Sequence, residues 1–181
     1  MPIYQNSTVT DAKIEVGNYA IYVAASAGTT AGGAWVNLGA GMVSSVNWSP
    51  EMFTTQAGNA VDPIEGISRE TATIDMELIE YDGSAFSLLT GGGMAGTSGS
   101  VTVGGQTTAL TARGMKLINN RKLATGSTQT TTFVFDNCFL NSGWSMSPKS
   151  DNDTDPVNVY NFSITAKQYA TAGTIFTKTV S

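Results

Sequence analysis

The run Arg69 to Glu80, RETATIDMELIE, alternates with a period of two. Ala72, Ile74, Met76 and Leu78 fall on one side; Thr71, Thr73, Asp75 and Glu77 fall on the other. Successive side chains of a strand point to opposite faces, so this is a long strand with one apolar and one acidic, hydroxyl-rich face. Such a strand belongs to a sheet that covers a core and turns a polar surface outward.

The rest of the composition agrees with a β protein. The chain has 181 residues, a length that fits one domain spanning 1–181. Only 13% of the residues are charged, about half the usual share. Thr, Ser and Gly fill the gap, and strong helix formers are scarce. Net charge is -5, and the nine Lys and Arg residues are scattered along the sequence, which argues against sequence-specific DNA binding. The start has no charged segment followed by an apolar one, so no secretory signal is expected. No apolar run approaches the ~18 residues of a membrane span.

Strands are expected over 13–24, with a bulge at Gly17, and over 34–49, with a bend at Gly39 and Gly41. In the second, Val36, Leu38, Met42, Val46 and Trp48 share one parity. Residues 50–67 read as a long inter-strand loop, because Pro50, Gly58-Asn59 and Asp62-Pro63 are all breaks. Loops of this length are uncommon without a function. This one carries Met52, Phe53, Val61, Ile64 and Ile67, an apolar content that calls for a docking surface. Either it is a long hairpin folded back over its own core or it is an extension that docks on another subunit. A short helix is expected over 83–93, with Ala85, Phe86, Leu88 and Leu89 inward and a Gly stop. Four further strands are expected, over 97–107, 111–119, 130–140 and 156–169. Residues 1–13 read as an arm, and 172–181 as a tail or edge strand. The resulting fold class is mainly β, an antiparallel sandwich or partly open barrel with one flanking helix.

Catalytic chemistry finds little support. There is no histidine and only one cysteine, Cys138, so Ser-His and Cys-His nucleophile pairs and Cys/His zinc sites are excluded, and no cofactor is implied. Cys138 reads as a small core or interface residue. Asp75 and Glu77 stand ~6.5–7 Å apart along the strand, a separation that glycosidase carboxylates also use. Those carboxylates flank a bond from opposite sides, however, and the neighbours here are threonines. The acidic run 151–155 starts like a calcium loop but has Pro156 where Gly is needed and Phe162 where Glu is needed. Trp35, Trp48 and Trp144 read as core or interface anchors.

The stretch from Gly58 to Thr73, GNAVDPIEGISRETAT, with the acidic strand and the Gly-stopped helix after it, resembles the major tail tube proteins of tailed bacteriophages. The similarity is greatest over about residues 34–93. The resemblance implies a β subunit in stacked hexameric rings that form a tube for DNA ejection, located in the virion tail and made in the host cytoplasm. It implies contacts between the 50–67 segment and neighbouring subunits, other tail proteins as partners, an amino-terminal arm bridging rings, and no membrane insertion. On this view Thr71, Thr73, Asp75 and Glu77 face the lumen. Carboxylates there repel passing phosphates, by ~1 kcal/mol per close pair in water, screened over ~8 Å at physiological salt. Alternatives are a capsid decoration or tail-terminator protein, a bacterial surface adhesin module, or a carbohydrate-active enzyme.

Overall fold

The structure, a computed structural model, describes residues 18–27, 34–55, 64–81, 83–90, 94–97, 100–103, 112–123, 125–141, 145–147, 159–168 and 174–181. The expected arm over 1–13, the bulge at Gly17, Val61, Trp144 and the acidic run 151–155 lie outside these residues.

The strands in chain order are β1 Tyr19–Ala27, β2 Trp35–Thr55, β3 Ile64–Tyr81, β4 Met94–Thr97 and β5 Ser100–Val103. They continue with β6 Arg113–Lys122, β7 Thr128–Leu140, β8 Ser145–Ser147, β9 Val159–Lys167 and β10 Phe176–Val180. One helix, α1 Gly83–Thr90, follows β3. The main sheet is antiparallel with the order β10-β7-β6-β1-β2-β3-β9-β8, and β4 and β5 form a separate hairpin. The end of β7 also pairs with β9, through Cys138–Leu140 opposite Ala166–Ile164. The sheet thus curls back on itself into a ring of strands. The Asn141 amide continues that seam by donating to the Ser163 carbonyl (2.9 Å).

The apolar face of β3 lies inside. Ala72, Ile74, Met76 and Leu78 are buried with Ile21, Val23, Leu38, Met115, Leu117, Phe135 and Ile164. On β9, Phe162, Ile164 and Ala166 are buried, with Tyr160 packed against them. Ala85 and Leu89 of α1 close one side, where the helix packs on β1, β2 and β7. Cys138 is a core residue, and burial, with a smaller effect from the Asp136 charge, pushes its thiol pKa well up.

The structure corrects the expected loop over 50–67. β2 runs on to Thr55 and β3 begins at Ile64, so most of that segment is the outer half of one long hairpin, paired from Gly39 opposite Tyr81 to Thr55 opposite Ile64 with three register shifts on the way. Pro50 is tolerated within β2, opposite Glu70, because β1 pairs with β2 only as far as Gly41. Beyond that point β2 is an edge strand, where proline's missing N–H does not interrupt a ladder on both sides. The short strand expected within 97–107 is β5; its partner β4, and β8, had no counterpart in the expectations.

A second correction concerns Met42. The register shifts between Ala40 and Gly41 and again between Val43 and Ser45. These irregularities rotate Met42 out to solvent while Val43 packs on the core, and Val46 then returns inward. Gly39, with φ 144°, and Gly41 permit the first shift. A Cβ on Gly41 would run into the Glu77 carbonyl oxygen and come within 2.9 Å of the Leu78 Cα. Both obstacles are backbone and cannot turn aside. Gly41→Ala is therefore expected to destabilise the fold by about 1–3 kcal/mol, the usual cost of forcing extra carbon into a packed site. Urea unfolding of the variant measures this.

Candidate functional site

β3 is flanked by β2 on one edge and β9 on the other, and residues opposite each other in a ladder share a face. Ser45, Asn47 and Ser49 of β2 stand opposite Asp75, Thr73 and Thr71. Asn161, Ser163 and Thr165 of β9 stand opposite Glu77, Asp75 and Thr73. The four residues picked out on β3 thus lie at the centre of a three-strand polar wall. All four are half-buried by their neighbours. The far end of the wall carries a cation: Lys167 stands opposite Thr71, with its ammonium 5.0 Å from the Phe139 ring centre.

Asp75 is the best-held acid in the wall. Its Oδ2 accepts a hydrogen bond from the Ser45 hydroxyl (2.6 Å), and Asn47 Nδ2 donates in turn to Ser45 Oγ (3.0 Å). The Ser44 hydroxyl donates to the Asp75 backbone carbonyl (3.0 Å). Hydrogen bonds from Ser45 and then Ser163 hold the Asp75 pKa below its ordinary 3.8, outweighing a small opposing effect of burial. A shallow groove of about 250 Å³ lies alongside, lined by Ser44, Asp75, Glu77, Ser145, Asn161 and Ser163 among others. The lowered pKa is the reverse of what a glycosidase general acid requires. Among the described residues, no group of three or more His, Cys, Asp or Glu is placed to hold a metal ion. Among them, too, no helix is long and apolar enough to cross a membrane.

The apolar residues singled out in the 50–67 segment lie on the outer half of the β2–β3 hairpin. Met52 is 61% exposed, Phe53 42% and Ile67 48%. Met52 stands opposite Ile67, and Phe53 stands opposite Gly66 with its ring laid against that residue. Ile64 opens β3 opposite Thr55. The choice between a fold-back and an outward surface is thereby made for Met52, Phe53 and Ile67, which do not enter the core. Trp48 belongs with them at 53% exposure. The exposed Arg69–Glu51 ion pair (3.1 Å) ties the two strands of the hairpin at little energetic gain.

Basic residues that look scattered in the sequence fall largely on two strands, split between the two faces of the sheet: Lys116 and Lys122 share the face opposite to Leu117 and Phe133, and Lys178 shares theirs. Five of the chain's nine, Arg113, Lys116, Arg121, Lys122 and Lys178, sit on β6 and β10. Across β6, β7 and β10 the only acid is Asp136. Four of the five lie within the ten residues of β6 and are visible in the sequence; the register adds Lys178, brought to the other side of β7 on β10. Lys116 is held against two rings, 4.6 Å from the centre of Trp35 and 5.1 Å from that of Tyr22.

No protein-family model matches the chain, and no curated protein gives a significant match. Among solved structures, the chain is similar to the anti-feeding prophage cap (the AFP tube terminating cap, seen by cryo-EM), with a TM-score of 0.46 and 10% identity over 100% of both chains. It is also similar to the crystal structure of an Hcp protein, with a TM-score of 0.36 and 11% identity over 92% of this chain and 99% of that one. Likenesses of this size do not assign a family or a function.

The hydrogen bonds to Asp75 give a pH signature. A carboxylate whose pKa is depressed in the folded state contributes stability that is complete above its unfolded value and lost as pH falls through the folded value. Thermal melting should therefore drop as pH is taken below about 4. Ser45→Ala should flatten that part of the curve and leave the melting temperature at low pH, where Asp75 is protonated in both proteins, closer to that of the parent.

Proposed function

We infer that this chain is a structural virion protein, a tail tube subunit of a tailed phage that assembles with copies of itself into stacked hexameric rings. The observation that carries the reading is the division of labour along one hairpin. The inner half of β2–β3, with β9, presents a polar wall containing Thr71, Thr73, Asp75 and Glu77, while the outer half presents Met52, Phe53 and Ile67 to solvent. The first suits the lining of a conduit; the second suits attachment to a neighbour. The resemblance of residues 34–93 to tail tube proteins supports the same reading.

The physical argument for the wall is one of non-adhesion. Lys or Arg on a conduit would exchange counterions with phosphates and retain DNA. Hydroxyls and amides do not; the wall's one cation, Lys167, stands at its far end, and Asp75, kept ionised by Ser45 and Ser163, adds a weak repulsion. Repeated around a ring and along a tube, a small term per subunit keeps the wall slippery without raising a high barrier. The chain acts as a scaffold and not as an enzyme, with other tail proteins as further partners. Its place is the virion tail, after synthesis in the host cytoplasm.

Negative-stain microscopy of the purified protein tests the assignment: hollow filaments or rings are expected, and a strict monomer at high concentration would count against it. Asp75→Asn/Glu77→Gln should leave such assemblies intact, because neither residue is placed in a subunit contact on this reading. Loss of filaments in that double variant, with the fold preserved by circular dichroism, would move the two residues from lumen to interface.

A further inference from the structure

The face that carries Thr71, Thr73, Asp75 and Glu77 continues one step past the end of the wall. No register shift interrupts β2 against β3 between Ser45 opposite Asp75 and Glu51 opposite Arg69. Arg69 therefore projects from the same face as Thr71. A notch of about 100 Å³, lined by Ser49, Glu51, Arg69 and Thr71 among others, joins this last pair to the wall. Two cations thus border the polar surface: Lys167 at its end and Arg69 just past it. Groups of this kind hold DNA phosphates.

Their partners differ in kind. The Lys167 ammonium rests 5.0 Å from the centre of the Phe139 ring, which attracts the cation but leaves its charge in place. Arg69 faces a full counter-charge. Glu51 Oε2 lies 3.1 Å from Arg69 Nε, and Glu51 Oε1 accepts from Arg69 Nη2 (3.2 Å). A guanidinium takes a phosphate through the same two-point fork, so Glu51 stands where a phosphate would. Its backbone is fixed as well. The register shifts immediately beyond Glu51, and the Ser68 hydroxyl donates to the Glu51 carbonyl (3.0 Å). Stability does not require the pair: its side chains are 60% and 62% exposed, and such pairs add little. From this pair to Glu77, the face sets Glu51, Asp75 and Glu77 against Arg69 and Lys167. Loss of the Glu51 charge would take it from net negative to neutral.

We propose that Glu51 masks Arg69 against the phosphates of DNA and so keeps the basic end of the wall non-adhesive. The inference rests on the conduit reading of this wall and adds a residue that enforces it. Glu51 acts through Arg69 and is a positioning residue. A phosphate approaching Arg69 meets a carboxylate of its own sign at nearly the same distance, and attraction and repulsion almost cancel. Without that carboxylate, Arg69 exchanges its counterion for the phosphate, and binding becomes salt-dependent.

Binding of duplex DNA by the full chain, followed by fluorescence anisotropy across a salt series, tests this. Glu51→Gln should bind about fivefold more tightly than the parent at low salt, the effect of removing one close repulsion in water. Its affinity should also fall more steeply with salt, by about 0.9 in the log–log slope for the phosphate gained. Glu51→Gln/Arg69→Gln should return to the parent level, which a merely structural role for Glu51 would not produce. Glu51→Thr carries the same test if Glu51→Gln fails to fold by circular dichroism. A folded neutral variant of Glu51 that binds no better than the parent overturns the masking and leaves the conduit reading standing. A gain that persists without Arg69 does the same. A parent chain that itself retains duplex DNA at physiological salt overturns the non-adhesive wall and the masking with it.

Discussion

The pairing of β2 with β3 is the constraint on which the rest of the structure depends. It positions the buried row Ala72, Ile74, Met76 and Leu78, the polar row between them, and the exposed outer hairpin. A slip of one residue would exchange the two rows, putting Asp75 and Glu77 into the core and Ile74 and Met76 into water. The burial of a carboxylate and the exposure of apolar side chains both oppose that exchange. The Ser45–Asp75 hydrogen bond and the Arg69–Glu51 pair occupy the same register from the polar side. The energetic weight rests with the core row, because the polar links are exposed or half-exposed and worth little each.

Much of this was legible in the sequence because period-two patterning is a local property. The face of β3, the row Phe162, Ile164 and Ala166 on β9, and Ala85 and Leu89 on α1 all lie where the pattern puts them. The misreadings have physical causes. Proline at position 50 marks a break when a strand is taken to be paired on both sides, and β2 is paired on one side there. Met42 left the parity of its neighbours because two register shifts surround it, and a shift leaves no trace in hydrophobicity. The four cations of β6 were within reach of sequence reading as a local cluster; only the placing of Lys178 on the other side of β7 needed the register.

The candidate site divides along the same line. The four polar residues of β3 could be read from one strand, whereas the groups that shape their chemistry, Ser45 and Ser163, come from two other strands. Sequence reading could name Met52, Phe53 and Ile67 as apolar residues in need of a contact, but not say that they miss their own core. That follows from where β1 starts. A strand that outruns its neighbour on one edge leaves its apolar side chains without a second layer and exposed on the surface.

Cys138 gives this architecture a built-in gauge. Its sulfur is wholly buried at the seam where β7 meets β9, and its thiol is held in the unreactive protonated form. It is also the chain's only sulfhydryl. A thiol-specific reagent therefore has nothing to modify until β7 and β9 part along that seam, and the rate of modification reports how often they do. The opening of the closure can be timed in the unaltered protein without introducing a label anywhere on its surface.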